Sequence, residues 1–191
     1  MELNIAFSGF SAADKAAILR GLLGYGISVF NGAEPYDVAL CAAHNSVADG
    51  SLSVPAPPVF APPADLSTAP TANFTATRPH LAAPADLSTA PAAKLAVTLS
   101  CDAKVMGMLR DTGCTVVTCG TADDDTLSVS SVGEHKAAVS LQRRLITLSG
   151  RKIEPCEIPI KSKNISNLRV FEAVTALLLL SDVPPEKGYE I

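Results

Sequence analysis

The chain opens with a run, Leu3-Asn4-Ile5-Ala6-Phe7-Ser8-Gly9, that reads as a buried strand leading straight into a helix that begins within a few residues of Ser11. Ala16, Leu19, Leu22 and Leu23 recur at three- and four-residue steps, and Gly24 and Gly26 supply a stop, so the helix is expected over 12–23. Strands follow at 27–30 and 37–42. Parallel strands joined by a helix demand crossover packing, so this opening commits the chain to an α/β layer fold whose ligand crevice lies at the strand C-termini. The layout is that of a phosphate-binding loop, but its chemistry is missing. Ala12, Ala13 and Asp14 stand where Gly-Lys-Ser/Thr would fall, leaving no ammonium for phosphates and no hydroxyl for Mg²⁺. Lys15 comes two places late, which turns it away by roughly 200° on a helix that advances about 100° per residue.

Residues 46–91 differ in kind. They are rich in Ala, Pro, Ser and Thr and hold nine of the fourteen prolines, a density that forbids regular helix or central strand. The octet Pro63-Ala64-Asp65-Leu66-Ser67-Thr68-Ala69-Pro70 returns unchanged at Pro84-Ala85-Asp86-Leu87-Ser88-Thr89-Ala90-Pro91. Two copies without sustained apolar periodicity cannot build a solenoid, so a duplicated, flexible surface insert within a single domain spanning 1–191 is expected. A Pro-rich docking segment is the functional alternative, although no basic anchor accompanies a PxxP.

The α/β order then resumes, with strands expected at 95–100 and 115–119 around a helix at 103–110. Segments 126–132, 137–141 and 158–160 read as an antiparallel ribbon on the sheet edge, separated by polar turns such as 149–152. A long helix over 166–181, capped by Asn164 or Ser166 and closed before Pro184-Pro185, ends the pattern. Val170, Val174, Leu177 and Leu178, widened by Phe171 and Leu180, form an apolar face that demands cover from the sheet.

Composition excludes several classes. With 191 residues and 48% hydrophobic content there is enough for one well-buried core. The net charge of −4 and the absence of a long Lys/Arg run disfavour nucleic acid and anionic membrane as partners. The apolar run 173–180 is far short of the roughly 20 residues of a membrane span. The Met1-Glu2 start lacks the basic and long apolar regions of an export signal, so a cytoplasmic protein is expected.

Five cysteines without close pairing suit a reducing compartment. Cys41, Cys101 and Cys119 each fall at or after a strand end, which raises a thiol cluster for metal or redox chemistry. With no CxxC, and with His44, His80 and His135 in unlike contexts, buried packing roles and no metal are expected instead. Asp123-Asp124-Asp125 lacks the glycine and bidentate Glu of a calcium loop and reads as a solvated acidic turn. No Gly-x-Ser-x-Gly, His-Glu-x-x-His or dinucleotide fingerprint is present.

The order of segments resembles a known family. Ala96-Val97-Thr98-Leu99-Ser100-Cys101-Asp102, a short helix and Thr115-Val116-Val117-Thr118-Cys119-Gly120 are similar to the Mur ligase central domain, in which a strand ending in Asn-x-Asp precedes a helix and a strand ending in Phe-Gly. Asp125-Thr126-Leu127-Ser128-Val129 resembles the next strand, Asn164-Ile165-Ser166-Asn167-Leu168 the His-Asn-x-x-Asn helix start, and Val183-Pro184-Pro185-Glu186 the segment that closes that helix. At the N-terminus Ser8-Gly9 stands where the family has Thr-Gly. The resemblance implies a Rossmann-like, P-loop-like parallel sheet and vestigial nucleotide-facing positions: Ser8 and Gly9 at the loop, Asp125 towards the ribose and Asn167 towards the adenine. Asn167 and Asp125 also have plain uses as a helix cap and a turn carboxylate.

Mur ligases activate a carboxylate with ATP and join it to an amine. The lysine, magnesium ligands and flanking domains that this requires are not intact here. The resemblance therefore implies a non-catalytic cytosolic protein without a cofactor, a partner or regulator of cell-wall-related ligase chemistry that acts through another protein. The alternatives are a nucleotide-binding, ligase-like enzyme without a standard P-loop, holding ATP weakly, and a Pro-rich-loop interaction module.

Overall fold

Burial on both faces separates the central strands from the edges. In β3 (Tyr36–Ala42) and β4 (Ala93–Leu99) the last five residues of each are buried without alternation, the signature of parallel strands covered on both sides. They lie beside β1 (Glu2–Ser8) and β5 (Thr115–Gly120), with β2 (Ser28–Phe30) outside β1. β6 (Leu127–Val132), β7 (Lys136–Leu141), β10 (Cys156–Lys161) and β11 (Tyr189–Glu190) complete a nine-stranded sheet in the order β11-β10-β7-β6-β5-β4-β3-β1-β2. From β2 to β6 the pairings are parallel, β6-β7-β10 is antiparallel, and β11 returns parallel to β10. Two short strands, β8 (Leu145–Ile146) and β9 (Lys152–Ile153), form a separate antiparallel ribbon. The fold is α/β and Rossmann-like, with the expected antiparallel edge.

The computed structural model describes residues 1–30, 35–42, 93–99, 103–110, 112–162 and 167–191. The insert at 46–91, the run Ser100-Cys101-Asp102, the histidines His44 and His80, and the proposed caps Asn164 and Ser166 lie outside the described residues.

Helix α1 (Ala12–Leu23) starts at Ser11, whose hydroxyl accepts from the Asp14 amide, and is followed by Gly26 at φ +71°. Its buried residues are Ile18 and Leu22. Leu19 and Leu23, expected on the apolar face, are 38% and 65% exposed. The reason is local: Gly21 turns towards α3 so closely that a Cβ there would sit 3.1 Å from Val174, and that contact sets which side of α1 faces inward. Helix α2 (Ala103–Arg110) buries Val105 and Leu109 against the opposite face, beside Ala39, Cys41 and Ala96.

Helix α3 (Leu168–Leu180) begins two residues later than expected, with Asn167 as its cap. Residues 171–180 are all buried, not one face alone. α3 packs on α1, β4, β5 and β6. Tyr25, between α1 and β2, meets Tyr189 of β11 edge-to-face at 5.8 Å, so the far strand of the sheet returns to the end of α1 and α3 is enclosed. The β8–β9 ribbon covers its last turn: the Leu148 amide donates to the Leu180 carbonyl at 3.0 Å. The helix ends with Asp182 at φ 63° and the Val183 amide on the Leu178 carbonyl, a left-handed cap in which Asp replaces the usual glycine. The Thr147 hydroxyl donates to Asp182 at 2.7 Å and holds it there. No helix of the described residues is long and apolar enough to cross a membrane.

Candidate functional site

The end of β1 and the start of α1 lie at the strand C-termini, where α/β sheets bind ligands. Ser8 closes β1 opposite Cys41 of β3. Gly9 follows at φ +78°, and a Cβ on it would fall 1.9 Å from the Ala42 carbonyl oxygen. Only glycine fits, because the backbone at the end of β3 presses on the turn. Phe10 packs edge-to-face on Phe7 at 6.1 Å, and the Lys15 ammonium lies 5.9 Å from the Phe7 ring centre. Lys15 is thus a half-buried cation over an aromatic face.

Asp14 organises the loop. Its amide donates to the Ser11 hydroxyl at 3.1 Å, and that hydroxyl donates to Asp14 Oδ2 at 2.8 Å. The other carboxylate oxygen, Oδ1, accepts from Asn167 Nδ2 at 2.6 Å. Asn167 in turn caps α3 by accepting from the Val170 amide at 3.4 Å. The two helix N-termini are therefore joined by one carboxylate–amide bond. The first turn of α1 thus carries a carboxylate of the chain itself, which complements the positive end of the helix dipole and would repel a phosphate brought to the same end.

Of the four expected positions, Ser8, Gly9 and Asn167 border this loop region. Asp125 belongs to the turn between β5 and β6, where residues 121–126 make a tight excursion before β6 starts beside Cys119. Its Oδ2 accepts from the Ala122 amide at 3.1 Å, and its own amide donates to the Ala122 carbonyl. Gly120 lies against it, since a Cβ there would stand 2.4 Å from Oδ2. The turn is not uniformly solvated as expected: Asp123 and Asp124 are exposed but Asp125 is only 2% exposed. Thr118 and Thr126 brace the same excursion, the Thr126 amide donating to Thr118 Oγ1 at 2.9 Å.

Sequence reasoning missed Glu172. It is 7% exposed on α3, and burial, reinforced by the charge of Asp125 and opposed by Arg169, pushes its carboxyl up to about 7 from an ordinary 4.5. The available signal was an acidic residue inside an otherwise apolar helix. Of the cysteines at strand ends, Cys41 and Cys119 are buried, and burial, with Cys114 adding, pushes the Cys41 thiol up to about 11, away from the thiolate form; Cys101 lies outside the described residues. Among the described residues no three His, Cys, Asp or Glu side chains gather as a metal site. Compared with known proteins, the chain matches no protein-family model and no curated relative.

Proposed function

We infer that the protein is a non-catalytic, cytosolic relative of the Mur ligase central domain, a partner or regulator of cell-wall-related ligase chemistry that does not itself turn over ATP. One observation carries this reading: both oxygens of Asp14 are held, by Ser11 and by Asn167, so a fixed negative charge stands in the first turn of α1 where a nucleotide phosphate would have to approach. To seat there, a phosphate would have to displace a carboxylate of like charge and break the bond between the α1 and α3 termini. The lysine that would reward such an exchange is absent, and Lys15 is engaged with Phe7.

Titration calorimetry with ATP and Mg²⁺ tests the reading. Binding weaker than about 1 mM, worth no more than roughly 4 kcal/mol, is the expected result. Low-micromolar, Mg²⁺-dependent binding would overturn it in favour of a ligase-like enzyme using an unusual loop.

A further inference from the structure

Away from the loop, a broad groove of about 1090 Å³ runs between α1, the adjoining ends of β7 and β10, and the residues after β11 begins. Small-molecule sites generally occupy about 300–1,000 Å³, so this one has room for an extended ligand. Ala17, Gly21, Val170 and Ile191 give it an apolar lining. Its cations come from three separate elements: Arg20 from α1, Lys136 from β7 and Lys161 from β10. All three are exposed, and none forms an ion pair among the described residues.

Lys136 and Lys161 are also direct cross-strand partners. Like charges placed opposite each other destabilise a strand pair, and the chain carries this pair despite a net charge of −4. Glu190, the β11 partner of Lys161, supplies a carboxylate beside one of them, which leaves the row Lys136–Lys161–Glu190 with a positive excess that Arg20 enlarges. An apolar lining bordered by unpaired cations is complementary to a ligand with an apolar body and a single anionic head.

We propose that this groove binds a small anionic amphiphile, its carboxylate or phosphate head at the Arg20, Lys136 and Lys161 side and its apolar body against Ala17, Gly21, Val170 and Ile191. The lining does not include Ser11, Asp14 or Asn167, and the proposal stands whether or not the nucleotide reading holds.

The test is displacement of the anionic dye 1-anilinonaphthalene-8-sulfonate, followed by fluorescence, using decanoate, decyl phosphate and decanol below their aggregation concentrations. Decanoate or decyl phosphate should displace the dye at least roughly tenfold better than decanol, and a preference between the two heads identifies the source of the anion. The variant Arg20→Glu/Lys136→Glu/Lys161→Glu should lose at least about tenfold in affinity. The milder Lys136→Gln/Lys161→Gln, which removes the like-charge pair and adds no new charge, should lose a few-fold in affinity with a melting temperature no lower than that of the wild type. Equal displacement by decanol, unchanged affinity in the glutamine variant, or no displacement by either anion would overturn the proposal.

Discussion

Replacing Glu172 by Gln should stabilise the protein in a pH-dependent way whose sign and window follow from the buried carboxyl. In the folded protein, burial first and the Asp125 charge second hold the Glu172 proton on to about pH 7, whereas an unfolded glutamate releases it near 4.5. Below about 4.5 both states are protonated and the side chain costs nothing extra. As pH rises from there to about 7 the unfolded chain gains from ionising and the folded one does not, so stability falls across that window and levels off above it. Each pH unit between two such pKa values is worth about 1.4 kcal/mol, and with partial solvation of the carboxyl the whole window amounts to roughly 2–3 kcal/mol. Gln keeps the shape and the neutral state. Urea unfolding of wild type and Glu172→Gln should therefore give nearly equal stabilities near pH 4.5 and a gap that grows towards pH 7.5, with Asp125→Asn in the wild-type background narrowing it. A gap independent of pH between about 5 and 7.5 would refute the reasoning, because Glu172 would then titrate as it does in water.

Leu177→Ala, in the fully buried middle of α3, should cost about 2–5 kcal/mol in chemical denaturation, a large part of the roughly 5–15 kcal/mol that holds a domain together; a loss under about 1 kcal/mol would mean that α3 is not enclosed. Gly9→Ala combines a left-handed backbone with a clash against the Ala42 carbonyl and should lower stability by about 2–4 kcal/mol, read as a shifted urea midpoint with an unchanged slope. Ser11→Ala removes the α1 cap and should cost about 0.5–2 kcal/mol, whereas Ser11→Asn, another good cap, should cost little. Asp182→Gly should be close to neutral and Asp182→Ala destabilising by about 1 kcal/mol, since only Gly or a tethered Asp suits φ 63° there.

What was legible in the sequence is what local chemistry dictates. Apolar runs in 37–42 and 95–99 mark central strands because strands covered on both faces need no alternation. Gly24 and Gly26 mark the end of α1 because they alone in that stretch can leave the helix cheaply. The inward side of α1 was not legible. Leu19 and Leu23 fit an apolar stripe as well as Ile18 and Leu22 do, and only the close approach of Gly21 to Val174 decides between them. β8, β9 and β11 escaped for a related reason: each is two residues long, and strands that short are specified by their partners and not by their own pattern. The enclosure of α3 was half legible, since Phe171 and Leu180 widened its apolar face, but the sheet's return through Tyr189 to Tyr25 is a long-range contact that no local periodicity encodes.

The loop shows how an absent lysine and a present aspartate carry different information. The missing Gly-Lys-Ser/Thr says only that a phosphate would find no lysine at this turn. The geometry of Asp14 adds that the position does structural work: as the third residue of α1 it closes a reciprocal bond with Ser11, complements the helix dipole and ties α1 to the cap of α3. The dipole contributes about 0.3–1 kcal/mol and the Ser11 cap about 0.5–2 kcal/mol, sums that favour the folded chain whether or not any ligand is present. An anion arriving at this end of α1 would have to offset the repulsion of a like charge, and any that took the Ser11 hydroxyl or the Asn167 amide would also have to offset those gains, before any affinity accrued. Gly9 survives beside it for a reason that owes nothing to phosphate, because the Ala42 carbonyl excludes every side chain. A turn glycine and a strand–helix junction are thus accounted for by packing alone, and it is the sign of the charge at the centre of the loop that bears on function.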